Sequence, residues 1–109
     1  MYSSRLAWET LRSIDSATFT GNYQALGTPL VHPSYILKLV NNSNQLVTVS
    51  MDGVNDHDIA PGGSFFLYDE SKGGSLNQMP AVAAGVQIYV KGSAGTGLVY
   101  LVSQYITLV

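Results

Sequence analysis

"SYILKLVNNSNQLVTVSM", residues 34 to 51, decides how this chain is read. In its second half Val47, Val49 and Met51 fall on one side and Leu46, Thr48 and Ser50 on the other. Period-two alternation of β-branched residues marks a half-buried strand. "SYILKLV" is an apolar run of strand length, and Asn41-Asn42-Ser43-Asn44 separates the two. Asn tolerates left-handed backbone and hydrogen-bonds its own chain, so the tetrad reads as a turn.

The same punctuation continues outward. "SATFT" ends at Gly21-Asn22, "YQALG" runs into "TPLVHP", and "SFFLYD" follows Pro61-Gly62-Gly63. "VQIYVKG" places Val86, Ile88 and Val90 inward and Gln87, Tyr89 and Lys91 outward; "GSAGTG" then reads as a flexible hairpin returning the chain into "LVYLVSQYITLV". Roughly seven strands separated by Gly, Pro and Asn signals, with no helical pattern between them, predict an antiparallel sandwich or jelly roll. No connection is long enough for the crossover helix of a parallel sheet. At 109 residues there is room for one core. The expectation is an all-β, single antiparallel β-sandwich or jelly-roll-like domain over 14–109, preceded by a short N-terminal arm or helix over 1–13.

Within that arm, Ala7, Leu11 and Ile14 are spaced i, i+4, i+7, and Arg5 and Glu9 could pair across one helical turn. So short a helix needs a surface to dock on; the alternative is a frayed terminus. Trp8 between Arg5 and Arg12 has the composition of an interface anchor, because Trp and Arg are enriched at binding hot spots. Arg5, Trp8 and Arg12 are therefore the candidate interface residues.

Charged residues make up 11% of the chain, well under the roughly 25% usual in soluble domains. Five acids and one base between Asp52 and Lys72 give that stretch −4 and leave +2 elsewhere in a chain of net −2. Without a Lys/Arg cluster, nucleic acid is not an expected partner. The absence of cysteine excludes disulfides, thiolate zinc sites and thiol catalysis. Apolar runs fall short of a membrane span and "MYSSRLAWETLR" has no signal-peptide core, so a soluble chain made in a cytoplasm is expected, with no membrane partner.

Asp52, Asp56, His57 and Asp58 are the residues that could hold a metal or do acid–base chemistry. Their spacing lacks the Gly and distal Glu of an EF-hand and matches no zinc pattern. On extended chain, Asp56, His57 and Asp58 would point to alternate sides. Asp52-Gly53 opens a turn, and Asn55-Asp56 can make Asx turns. The stretch Asp52, Gly53, Asp56, His57, Asp58 is accordingly read as a structural acidic loop, with no metal and no cofactor. "GSAGTG" is followed by a strand where a phosphate loop needs Lys-Ser/Thr and a helix. His32 precedes a proline, His57 lies in the acidic loop, and no Gly-x-Ser-x-Gly elbow exists. No catalytic residues are assigned. Seven tyrosines would suit a sugar platform, or equally a sandwich interior and an interface.

"LAWETLRSI" (6–14), "LVNNSNQLVTVSMDGVNDHDIAPGGSFFLYD" (39–69) and "GVQIYVKGSAGTGLVYLVSQY" (85–105) resemble small virion proteins of tailed bacteriophages. The likeness lies in the Asn-Asn turn, the strand entering Asp-Gly, the Asp-His that follows and the late Tyr-Val-Lys-Gly. It implies a non-enzymatic particle component, either a capsid decoration or cement protein or a neck or tail piece. Its partners would be copies of itself and other virion proteins. The rival expectation is a carbohydrate- or receptor-binding module of a tail or fibre.

Overall fold

The computed structural model describes residues 4–69 and 82–108. Among the described residues nine strands lie in chain order: β1 (Ser4–Trp8), β2 (Arg12–Asp15), β3 (Gln24–Ala25), β4 (Ile36–Asn41), β5 (Val47–Ser50), β6 (Asp58–Ala60), β7 (Phe65–Asp69), β8 (Tyr89–Lys91) and β9 (Leu98–Leu108). They form two antiparallel sheets. One has the order β1-β9-β4-β7, with β2 also pairing β9; the other is β3-β8-β5-β6. The all-β sandwich-like architecture predicted from the alternation is what the chain adopts. No helix among the described residues is long and apolar enough to cross a membrane.

The core lies between the sheets. Leu37, Leu39, Val99 and Leu101 come from the first, Val47, Val49, Ala60 and Val90 from the second, and Phe19, Leu26, Leu30 and Ile88 from connections. Val47 and Val49 face inward as their alternation requires, as do Ile88 and Val90. Met51 does not: β5 ends at Ser50, and the chain turns outward there, leaving Met51 exposed.

Three expectations are corrected. The N-terminal segment is strand, not helix or frayed end. A short helix gains little from its own hydrogen bonds, whereas β9 offers a long edge of free N–H and C=O groups. β1 and β2 take that edge in register, with Trp8 opposite Gln104 and Arg12 opposite Leu101. The boundary drawn at residue 13 therefore falls inside β2; residues 1–3 of the arm lie outside the described residues. Second, "SATFT" is not a strand: Ser16–Thr18 form a 3-10 turn capped by the Asp15 carboxylate, which accepts from Ala17 N at 2.9 Å. Third, "GSAGTG" is not a hairpin turn. β8 belongs to one sheet and β9 to the other, so the segment carries the chain between layers.

That crossing runs against the Asn turn. Asn44 N donates to Thr96 O at 3.1 Å, and Asn44 Oδ1 accepts from Thr96 N at 3.0 Å. Gly97, at φ +101°, approaches so closely that a Cβ there would meet Asn42 O at 2.3 Å. The glycine is required by close approach, in a conformation that L side chains rarely adopt. Asn41 is fully buried; its amide donates to Gln45 O and Ala60 O at 2.8 Å each, and its Oδ1 accepts from Ser43 N and Ser43 Oγ. The tetrad is thus a turn whose first residue is a polar staple tying β4 to the other sheet.

Candidate functional site

Three groups of residues could carry function: the acidic loop, a buried carboxylate near the N-terminus, and the outer face of the five-stranded sheet.

The acidic loop links β5 to β6; Asp52 and His57 bond the loop's own backbone, while Asp56 and Asp58 bond side chains outside it. Asp52 Oδ1 accepts from Val54 N and Asn55 N at 2.8 Å each, and Oδ2 from the Asn55 amide at 2.8 Å. Ser50 Oγ donates to Asp52 Oδ1 at 2.8 Å and accepts from Gly53 N at 2.9 Å. His57 Nδ1 accepts from Met51 N at 3.0 Å. The backbone N–H groups of Asn55 and Val54, followed by the Asn55 and Ser50 side chains, hold the Asp52 carboxyl well below the usual carboxylate range. Asp56 accepts from the Tyr23 hydroxyl and from Lys91 Nζ at 2.9 Å, which lower its pKa in that order. Asp58 accepts from the Tyr68 hydroxyl, so β6 of one sheet is joined to β7 of the other. Among the described residues no group of three or more His, Asp or Glu is placed to hold a metal ion. Asp52, Asp56, His57 and Asp58 do not converge on a common point; each serves a different part of the loop.

Sequence reasoning missed the second group. Glu9 has a side chain only 4% exposed; its Oε1 accepts from Arg12 Nη2 at 2.7 Å, and its Oε2 accepts from His32 N at 2.7 Å and lies 3.0 Å from His32 Nδ1. Arg12, 6% exposed, also donates to Thr28 O at 2.7 Å and Pro29 O at 3.0 Å. Burial alone would raise the Glu9 pKa; Arg12, the N–H groups of His32 and Val31 and the His32 ring outweigh it, and the carboxyl lies below its ordinary value. The His32 ring stacks on Tyr105 at 3.7 Å. A cleft of about 330 Å³ beside this ion pair is lined by Thr10, Leu11, Ser13, Gly27, Thr28 and Val31 as well as by the pair itself. Every oxygen of Glu9 is committed, so the arrangement clips the β1–β2 connection to the 28–32 loop and leaves no free acid or base. The expected Arg5–Glu9 pairing supposed a helical turn; Ser4–Trp8 is strand, on which i and i+4 lie about 13 Å apart along the backbone. A Glu three residues before an Arg, followed at a distance by His-Pro, gave no pattern that could have announced it.

The third group decides the fate of the candidate interface residues. In antiparallel pairs, partners in register share a face. Arg12 pairs with inward Leu101, and Trp8 with outward Gln104, so the two point to opposite sides. Arg12 is withdrawn into its own domain, while Trp8 stays 65% exposed. The Arg5 side chain lies outside what the structure describes. Around Trp8, register assembles an outer face not visible in the sequence. Leu6 and Ile106 form one row; Trp8, Gln104 and Ile36 the next; then Val102, Lys38 and Leu67; then Ser13, Tyr100, Val40 and Phe65; and at the far end Asp15 and Leu98. Phe65 and Leu67 are 63% and 51% exposed. By register Asp69 stands opposite Ile36 on the β7 edge of this face and Asp15 at its far end. Inside those edges, among the described residues, the one charged side chain is Lys38, whose ammonium sits 5.1 Å from the centre of the Phe65 ring. Contiguous exposed apolar faces of this kind mark interaction sites.

No protein-family model, no curated protein and no solved structure matches this chain.

Proposed function

We propose that this protein works by assembly, as a non-enzymatic structural component of a bacteriophage virion, either decorating or cementing the capsid or forming part of the neck or tail. The observation that carries this reading is the apolar outer face of the five-stranded sheet, with Trp8, Phe65 and Leu67 exposed on it. Particle proteins bury such faces against neighbours, and a chain with few charges suits repeated contact within a lattice. The virion setting itself rests on the resemblance of residues 6–14, 39–69 and 85–105 to small virion proteins. It also fits that the polar clusters are used up in holding loops.

Particles purified on a density gradient supply the test. The protein should remain in stoichiometric amount with the particles, and Leu67→Asp should stay soluble and folded but be lost from them. Absence of the wild-type protein from purified particles would sink the reading.

The rival, a carbohydrate- or receptor-binding module, would use the half-buried Tyr23 beside Asp56. There the ring face already carries Lys91 at 4.6 Å, and the hydroxyl is committed to Asp56. A sugar would have to displace both, so this reading is second; binding on a glycan array that Tyr23→Ala abolishes would reverse the order.

A further inference from the structure

The assembly reading leaves open what lies on the apolar face. We infer that it packs against the same face of a second copy of this chain, giving a two-fold dimer with the two five-stranded sheets at its centre; this rests on the assembly reading and names its first partner.

Size is the first argument. The face is four strand columns wide: β7, β4, β9, then β1 with β2. Along β9 it runs from Leu98 to Ile106. At about 4.8 Å per column and about 3.3 Å per residue this is roughly 20 Å by 26 Å, or about 500 Å² in projection. A surface roughened by side chains exposes more than its projection, which brings the face near the about 800 Å² per partner of a stable standard interface. A second sheet is also the right shape of cover. Two sheets stack about 10 Å apart with strands within about 30°, their side chains interdigitating. The outward rows hold Phe, Leu, Ile, Val, Tyr and Trp, as an inner face would.

Charge is the second argument. When a face meets itself, its net charge meets an equal charge of the same sign, and like charges brought together are costly. Here one cation, Lys38, lies inside the face and is already engaged over the Phe65 ring. Its long stem can carry the ammonium to the rim. The acids Asp15 and Asp69 stand at the edges by register, so the face carries both signs and no large net charge. Nothing in the face asks for a partner of opposite sign.

The ribbon is the third. β4 pairs β9 only as far as Gln104, so the stretch of β9 from Tyr105 to Leu108 has β1 as its strand partner. An isolated two-stranded ribbon is marginal in water. A second copy laid along the face covers Leu6 and Ile106 there, which are otherwise exposed or half-exposed.

Sedimentation equilibrium of the purified chain tests this at roughly 100 µM, above the micromolar Kd that even weak interfaces of this size reach. The expected mass is twice 11.7 kDa. Leu67→Asp and Trp8→Ala should shift it to one chain with unchanged circular dichroism, while Ile59→Asp, exposed on the other sheet, should leave the dimer intact. Should Leu67→Asp fail to fold, a nitroxide on Leu67→Cys decides instead. The chain has no cysteine of its own, so an intermolecular dipolar signal there, absent after dilution with unlabelled protein, supports the face-to-face dimer. A wild-type protein of single-chain mass overturns the inference, as does a dimer that Leu67→Asp and Trp8→Ala leave unchanged or a labelled Leu67→Cys without the signal. If the wild type is monomeric yet Leu67→Asp still falls off particles, the dimer is wrong and the assembly reading stands. If the wild type is also absent from particles, both fail.

Discussion

On the outer side of the four-stranded sheet, Tyr89 and Lys91 lie under the acidic loop. On the outer side of the five-stranded sheet, Phe65 and Leu67 have no cover among the described residues. The loop reaches Tyr89 through Gly53, where a Cβ would sit 3.4 Å from the ring, and reaches Lys91 through Asp56 at 2.9 Å. A chain with few charges has placed many of its acids in one connection and used them to tie down a lid over one face. The second face carries apolar side chains where such a lid would need polar anchors. The difference separates two meanings of an exposed residue: a polar cluster that is complete within the chain, and an apolar row that becomes complete when something else packs on it.

The comparison would break most severely at the ion pair that holds the edge of the five-stranded sheet from inside. Arg12→Ala leaves the buried Glu9 carboxylate without its cation and held only by His32 and Val31; losing one partner of a buried pair costs up to about 3–5 kcal/mol. Denaturant unfolding should show that loss; an unchanged midpoint would mean that Glu9 finds water.

Next comes the contrast between Ile88, just before β8, and Tyr89, its first residue. Ile88→Ala removes a core side chain and should cost about 2–5 kcal/mol. Tyr89→Ala, beneath the loop, should be milder and should raise the exchange rate of the Val54 and Asn55 amides by loosening the lid. Equal costs at the two positions would show that the lid is as much core as the interior.

A smaller effect is expected from pH, and it differs at the two ends. Folding lowers the Glu9, Asp52 and Asp56 pKa values below their ordinary 4.5, 3.8 and 3.8. Their contribution is therefore present above about pH 5 and is lost as pH falls through the folded values. Tyr23 and Tyr68 are pushed up to about 12 from 10.0, by desolvation first and then by their bonds to Asp56 and Asp58. Stability from these two is complete below pH 10.0 and lost as pH rises toward 12. Thermal melts across pH, with Tyr68→Phe flattening the alkaline limb, check the assignment.

Smallest of all should be Ile59→Thr on the four-stranded sheet's exposed side, within about 0.5 kcal/mol because it touches no buried feature. Val40→Thr, on the opposite outer face, should be equally mild in a monomer and costly in an assembly. The gap between the two, measured at low and high protein concentration, sharpens the contrast between the sheets.

The alternations Val47/Val49 and Ile88/Val90 were legible because burial follows a local period that no tertiary contact has to supply. The Asn turn was legible for the same reason, since Asn bends its own backbone. In the acidic stretch, Asp52 acts on residues two and three positions away, within reach of sequence reasoning. The short β6 within that stretch was hidden, because its strand character comes from pairing with β5 and from Tyr68 on the opposite sheet.

Thus the amino-acid sequence determined the strand periodicity, the turns and the absence of thiol chemistry, all properties of neighbours along the chain. Only the tertiary structure decided that residues 4–8 are strand, that Arg12 turns inward to Glu9 while Trp8 turns outward, and that Phe65, Leu67, Val102 and Trp8 share a face. Each of these depends on the register with β9, set by backbone pairing that reaches from Ser4 to Leu108, and a shift of one residue would have reversed every side.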